Sequence, residues 1–221
     1  MPARQIAGFA VAAALLFILL KYAAGPMTGD SSAFDRALLL ALRDPAGPSI
    51  PLGPFWLRKS MVQLTSLGSG AQLGLIVVIA AGWLIVRRMT CSALLLAGAA
   101  ASGGMAVTLL KDSFAHPRPL LVEHIVEVQS ASFPSAHAAN SAIVLLTLAA
   151  LLARIETRRA ARRYIIGVAL LLTILIGVSR VYLGVHWPSD VAAGWTLGAG
   201  WAGMWLMLGT AIDRDDPWRK R

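Results

Sequence analysis

Residues 191–212 read VAAGWTLGAGWAGMWLMLGTAI, and no ionisable side chain interrupts them. A bilayer core takes a helix of about 20 predominantly apolar residues, so this stretch reads as a membrane span and argues against a soluble globule. The rest of the chain agrees. Of its 221 residues, 57% are apolar and only 14% charged, with a mean hydropathy of +0.68. Soluble domains carry about 45–50% apolar and about 25% charged residues. Working outward with the same criterion gives six spans, at about 6–24, 64–86, 91–110, 136–153, 164–178 and 191–212. The expected fold is therefore an all-α polytopic membrane protein, with 1–221 as a single domain. Residues 6–24 share features with a cleavable leader, but with five further spans behind them they are read as a retained helix.

The formal net charge of +9, from 20 Lys and Arg against 11 Asp and Glu, would suggest a nucleic-acid partner in a soluble chain. Here too little polar surface is left to carry such a face, so no nucleic-acid partner is expected and the charge is read as a topology signal. Twelve of the 20 basic residues fall on short segments of one side: Arg4, Arg87, Arg88, Arg154, Arg158, Arg159, Arg162, Arg163, Arg214, Arg219, Lys220 and Arg221. Basic residues concentrate on cytoplasmic loops, which puts both termini in the cytoplasm. The opposite side holds the long connections 25–60 and 111–134. In the first, Pro26, Pro45, Pro48, Pro51 and Pro54 exclude a long helix. Phe34, Leu38 and Leu42 recur there at helical spacing, with Asp35, Arg36 and Arg43 between them, as in a short interfacial helix. Trp56, Trp83, Trp187, Trp195 and Trp218 fall near span ends, where indoles anchor at headgroups. Cys91 is the sole cysteine; it permits no intramolecular disulfide and is read as a small apolar residue.

Three segments place ionisable residues at the outer ends of spans, where such residues are costly and mark function. They run from Lys111 to Arg118 and Pro119, from Pro134 through Ser135 and Ala136 to His137, and from Ser179 and Arg180 through His186 to Asp190. Lys111, Arg118 and Arg180 supply donors that match a tetrahedral oxyanion, arginine two oxygens at a time. Ser135, Ala136 and His137 enter a span, so free helix-start amides point at the same anion. Asp190 lies four residues beyond His186 and can fix its tautomer, leaving the other ring nitrogen to attack phosphorus. His137 is then placed to protonate the leaving oxygen. Singly, each residue has an ordinary reading: Lys111 and Arg118 as snorkelling residues, Arg180 as a loop charge, His186 and Asp190 as a helix-cap pair. Their convergence on one membrane face favours a site. His116, Glu123, His124 and Glu127 are read as solvated loop residues. No carboxylate cluster suits a divalent metal.

These segments resemble the three-part signature of the type 2 phosphatidic acid phosphatase (PAP2) superfamily, K-x6-RP, PSGH and SR-x5-H-x3-D, with Ala136 in place of the glycine. The superfamily also includes bacterial acid phosphatases and vanadium haloperoxidases. The resemblance implies a helical-bundle core and a metal-independent, cofactor-free phosphoryl transfer. His186 would become phosphohistidine, Asp190 would orient it and His137 would act as acid. Lys111, Arg118, Ser135, Ala136 and Arg180 would bind phosphate. Alanine at 136 raises the question of whether a left-handed backbone is needed there. The expected function is hydrolysis of a lipid phosphate at the outer face of a bacterial inner membrane. Undecaprenyl diphosphate, phosphatidylglycerol phosphate and phosphatidic acid are the candidate substrates. A lipid phosphotransferase using the same histidine, or a non-catalytic lipid-phosphate transporter, are the alternatives.

Overall fold

The computed structural model describes residues 32–114, 116–128 and 130–215. In chain order these form α1 (Ala33–Ala41), β1 (Arg43–Asp44), β2 (Gly47–Pro51), α2 (Phe55–Leu67), α3 (Gly70–Val86), α4 (Thr90–Phe114), α5 (Ala136–Ile155), α6 (Arg159–Tyr182) and α7 (Pro188–Asp215). By length and composition α4, α5, α6 and α7 can each cross a membrane, and α2 with α3 forms a further candidate span bent by 53°. Four or five spans therefore lie among the described residues. The expected span 6–24 and Trp218 lie outside them. Large apolar side chains such as Val78, Ile79, Leu94, Leu109 and Leu171 face outward and are more than half exposed, as lipid-facing positions should be.

Several helices outrun their hydropathy windows. The fourth helix runs on to Phe114 and the sixth to Tyr182, which puts Lys111 and Arg180 in last turns rather than loops. An apolar window ends where charge begins, but a helix does not, because Lys and Arg are good helix formers. The expected span 64–86 is broken. Gly68 ends α2, and Ser69 caps α3 by accepting from the Gln72 amide. A Cβ at Gly68 would lie 2.4 Å from Ile176 Cγ2 and 3.2 Å from His137 Cδ2, so the break sits where the chain presses on α6 and the start of α5.

Other expectations are corrected. The all-α fold contains a short antiparallel hairpin, β1 with β2, pairing Arg43 with Pro51 and Asp44 with Gly47. It occurs where Pro45, Pro48 and Pro51 bar helix and where Asp44 Oδ1 accepts from the Ala46 amide. The expected short helix is present as α1: Phe34 is 66% and Leu38 42% exposed, while Leu42 packs on the core and Asp35 is buried. The tryptophan reading divides. Trp56 and Trp83 are exposed, but Trp187 is buried and Trp195 donates to the Thr173 carbonyl inside the protein. Cys91 is exposed rather than packed in a core.

The core is a close crossing of α5 and α7. Ideal Cβ atoms at Gly194 and Gly198 would lie 2.7 Å from the Ser135 carbonyl oxygen and 2.4 Å from that of Ala139. Glycines four apart on one helix face let backbones meet, which is how membrane helices associate without a hydrophobic driving force between them. Gly198→Ala should therefore destabilise the protein by about 1–3 kcal/mol and lower its melting temperature in detergent. Gly82→Ala, where a Cβ meets open space, should not; equal melting of the two variants would contradict this packing.

Candidate active site

One end of the bundle gathers the last turns of α4 and α6, the first turns of α5 and α7, and the loops between them. The start of α5, which no side chain caps, turns its first amides and positive dipole end to the space between. The three sequence segments meet here. His186, in the turn before α7, is 2% exposed. Its Nδ1 lies 3.4 Å from Asp190 Oδ2, and its Nε2 lies 3.2 Å from the Arg118 Nη1. A guanidinium can only donate, so Nε2 is the acceptor and Nδ1 carries the proton toward Asp190. The lone pair of Nε2 thus faces the cations.

Asp190 is fully buried. Its Oδ2 also accepts from the Trp187 amide at 3.0 Å and from Ser132 Oγ. Its backbone carbonyl accepts from the Ser135 amide, 3.0 Å away, which ties α7 to the start of α5.

The cations approach from three directions. Arg118 is anchored by the carbonyls of Ser130 and Val185. Lys111 Nζ is held by the Ala131 carbonyl, and Arg180 Nη1 donates to Thr65 Oγ1 at 2.9 Å, leaving its buried Nε unpartnered. Lys111, Arg118 and Arg180 lie within electrostatic reach of one another and of His137, which in turn is felt by His186. Ser135 is fully buried, and its Oγ has no hydrogen-bond partner. Three mutually repelling cations, the start of α5 and an unused buried hydroxyl together can receive an oxyanion. Ala136 opens α5, and Arg88 is the one non-glycine residue with positive φ among the described residues. No left-handed backbone is therefore required at 136, so alanine fits without strain and keeps its amide.

Burial holds the His186 imidazole well below its ordinary pKa, and the surrounding Arg180, Arg118 and Lys111 push in the same direction. The ring is therefore neutral, as a nucleophile must be. Burial lowers Arg118 as well, but a guanidinium stays protonated at any working pH.

Sequence reasoning missed four residues here. Ser132 is fully buried on Asp190, and its one signal was its place three residues before Ser135. Thr65 holds Arg180 from α2, at the edge of the expected span. Asp35 accepts from the Ser189 amide at 2.9 Å and from its hydroxyl at 2.7 Å, so it caps α7; an acid set in an apolar stripe was the available sign. His116, expected in solvent, is buried 3.7 Å from Asp190. Glu123 and Glu127 are exposed, and half-buried His124 meets the Pro119 carbonyl. Among the described residues no group of three or more His, Cys, Asp or Glu is arranged to hold a metal ion.

The chain is similar to known proteins in sequence and in fold. The family model described as the PAP2 superfamily matches residues 92–213. Phosphatidylglycerophosphatase B of Bacillus subtilis is 34% identical over 145 residues, covering 65% of this chain and 70% of the relative. An undecaprenyl-diphosphatase of Sulfolobus acidocaldarius is 46% identical over 48 residues, 21% of each chain. The crystal structure of a transmembrane PAP2-type phosphatidylglycerolphosphate phosphatase from Bacillus subtilis superposes with a TM-score of 0.77 at 26% identity, covering 95% of this chain and 98% of that one.

The His186 environment is directly measurable. In protein labelled with 15N-histidine, His186 should remain neutral, with its proton on Nδ1, as pH falls through about 6.5, where exposed histidines charge. A midpoint at or above that value would contradict the burial argument.

Proposed function

Since the chain belongs to the PAP2 superfamily, we propose that it is a membrane-embedded lipid phosphate phosphatase that works through a phosphohistidine at His186. The observation that carries this reading is the two-sided setting of His186, with Nδ1 on Asp190 and Nε2 turned to Arg118. The phosphoryl oxygens would occupy the space between Lys111, Arg118, Arg180, Ser135 Oγ and the first amides of α5, including that of Ala136. Nε2 forms a bond to phosphorus as the bond to the leaving oxygen breaks, and His137, which takes up a proton once the substrate's phosphate dianion sits among the cations, gives it to that oxygen. Asp190 stabilises the imidazolium that results. His137 then takes a proton from water, whose oxygen bonds to phosphorus as the N–P bond breaks, releasing inorganic phosphate and restoring both histidines.

The named relatives act on a phosphatidylglycerophosphate and an undecaprenyl diphosphate, and with phosphatidic acid these are the candidate substrates. All bear a phosphate at the end of a lipid, which suits a site at the mouth of a helical bundle. We further place the chain in a bacterial inner membrane with six spans, the first at 6–24, and both termini in the cytoplasm. The basic residues beyond α3 and between α5 and α6 mark the cytoplasmic side. The site, at the other end of the bundle, then faces the periplasm and meets lipid on the outer leaflet.

Purified protein in detergent and EDTA should release phosphate from at least one of the three lipids. His186→Ala and His137→Ala should each lower the rate by at least about a thousandfold. Unchanged release from His186→Ala would sink the proposal. Transfer of label from a radioactive donor to an added acceptor lipid, without free phosphate, would identify a phosphotransferase instead.

A further inference from the structure

The hydrogen bonds around Asp190 leave one gap. Three donors address Oδ2, but Oδ1 is buried with no hydrogen-bond partner. The nearest titratable donor is His116, whose Nδ1 lies 3.7 Å from Oδ1, just beyond hydrogen-bond length. Both His116 ring nitrogens are likewise buried and unpartnered, so no rival acceptor competes for Nδ1–H. Two unmet groups facing each other in a dry interior are costly apart, and these already stand only 3.7 Å from one another.

The backbone sets up this meeting. The Ser132 amide donates to the His116 carbonyl at 2.8 Å, which locks the two residues side by side. From that pair Ser132 Oγ takes one carboxylate oxygen and the His116 ring faces the other. Phe133 stands edge-on to the same ring, with centroids 6.4 Å apart, which limits its rotation. Burial lowers the pKa of His116, only partly offset by nearby Asp35. The ring is thus a neutral donor rather than half of an ion pair.

We infer that His116 is a positioning residue for the phosphatase reaction: its Nδ1–H holds Asp190 Oδ1, so that Oδ2 stays aimed at His186 Nδ1 and the nucleophilic Nε2 stays unprotonated. His116 touches no reacting atom and acts through the carboxylate. This role rests on the catalytic reading of His186 above, but the geometry it asserts exists with or without turnover.

The test pairs two substitutions with a spectroscopic reading. Asparagine sets its side-chain nitrogen close to the place of histidine Nδ1, whereas leucine fills the space without a donor. With whichever of the three lipids the wild-type protein hydrolyses, presented in detergent micelles, His116→Leu should lower kcat about tenfold or more with KM within about twofold, and His116→Asn should recover most of the loss. Leucine performing as well as asparagine would mean that His116 only packs, and would overturn the role. Independently of turnover, 15N spectra of the wild-type protein should show His116 neutral and protonated on Nδ1, and His116→Leu should give His186 mixed tautomers. A His116 protonated on Nε2, or an unaltered His186 tautomer in the leucine variant, would also overturn it. If His186→Ala still releases phosphate, the phosphatase reading fails while these spectra continue to decide the His116–Asp190 contact.

Discussion

A single buried carboxylate organises the site. Asp190 sits in the first turn of α7 with no exposed surface, and a carboxylate removed from water without donors is among the most expensive groups a protein can hold. The donors to its Oδ2 come from separate parts of the chain: Ser132 from the loop before α5, and Trp187 and His186 from the turn before α7. The same residue's backbone carbonyl takes the Ser135 amide. Satisfying one side chain therefore draws together the start of α5, the histidine turn and the loop that carries Arg118.

That arrangement holds only because the helices can come close. Glycines 194 and 198 let α7 lie against the carbonyls of Ser135 and Ala139, which brings the wall with His137 to the wall with His186. At the opposite edge, Gly68 gives α2 room to end beside His137, and Thr65, one turn earlier, holds the Arg180 guanidinium. Asp35 reaches in from α1 to cap α7 through Ser189. The short elements that precede the main bundle are thus part of the site's support, even though none of them supplies a residue to the proposed chemistry.

The cations have the reverse problem. Lys111, Arg118 and Arg180 are gathered within electrostatic range of each other, and each is fastened by a neutral oxygen of a carbonyl or hydroxyl. Neutral acceptors fix the side chains without neutralising them, so their charge remains available to an incoming phosphate. A carboxylate partner for each would have given a more stable resting site and a weaker anion receptor.

The long helices were legible because lipid imposes one requirement, an apolar stretch of sufficient length, and that requirement is written locally in runs such as 191–212. The eight site positions from Lys111 to Asp190 were legible because their spacing puts them at the same end of those helices. The reading failed where a residue's partner lies far along the chain. Ser132, Thr65 and His116 look like ordinary loop or helix residues until the fold sets them on Asp190 or Arg180, and Asp35 looks like the polar side of an interfacial helix until it meets Ser189. The α2–α3 break and the hairpin escaped for a similar reason, since apolar content says nothing of where a helix must bend to clear its neighbour. The sequence by itself determined that this chain spans a membrane and gathers basic residues and histidines at one end of its spans, because hydropathy and motif spacing are local. Only the tertiary structure decided which nitrogen of His186 is free and what holds its carboxylate, because both depend on donors brought in from distant segments and on burial that no local pattern encodes.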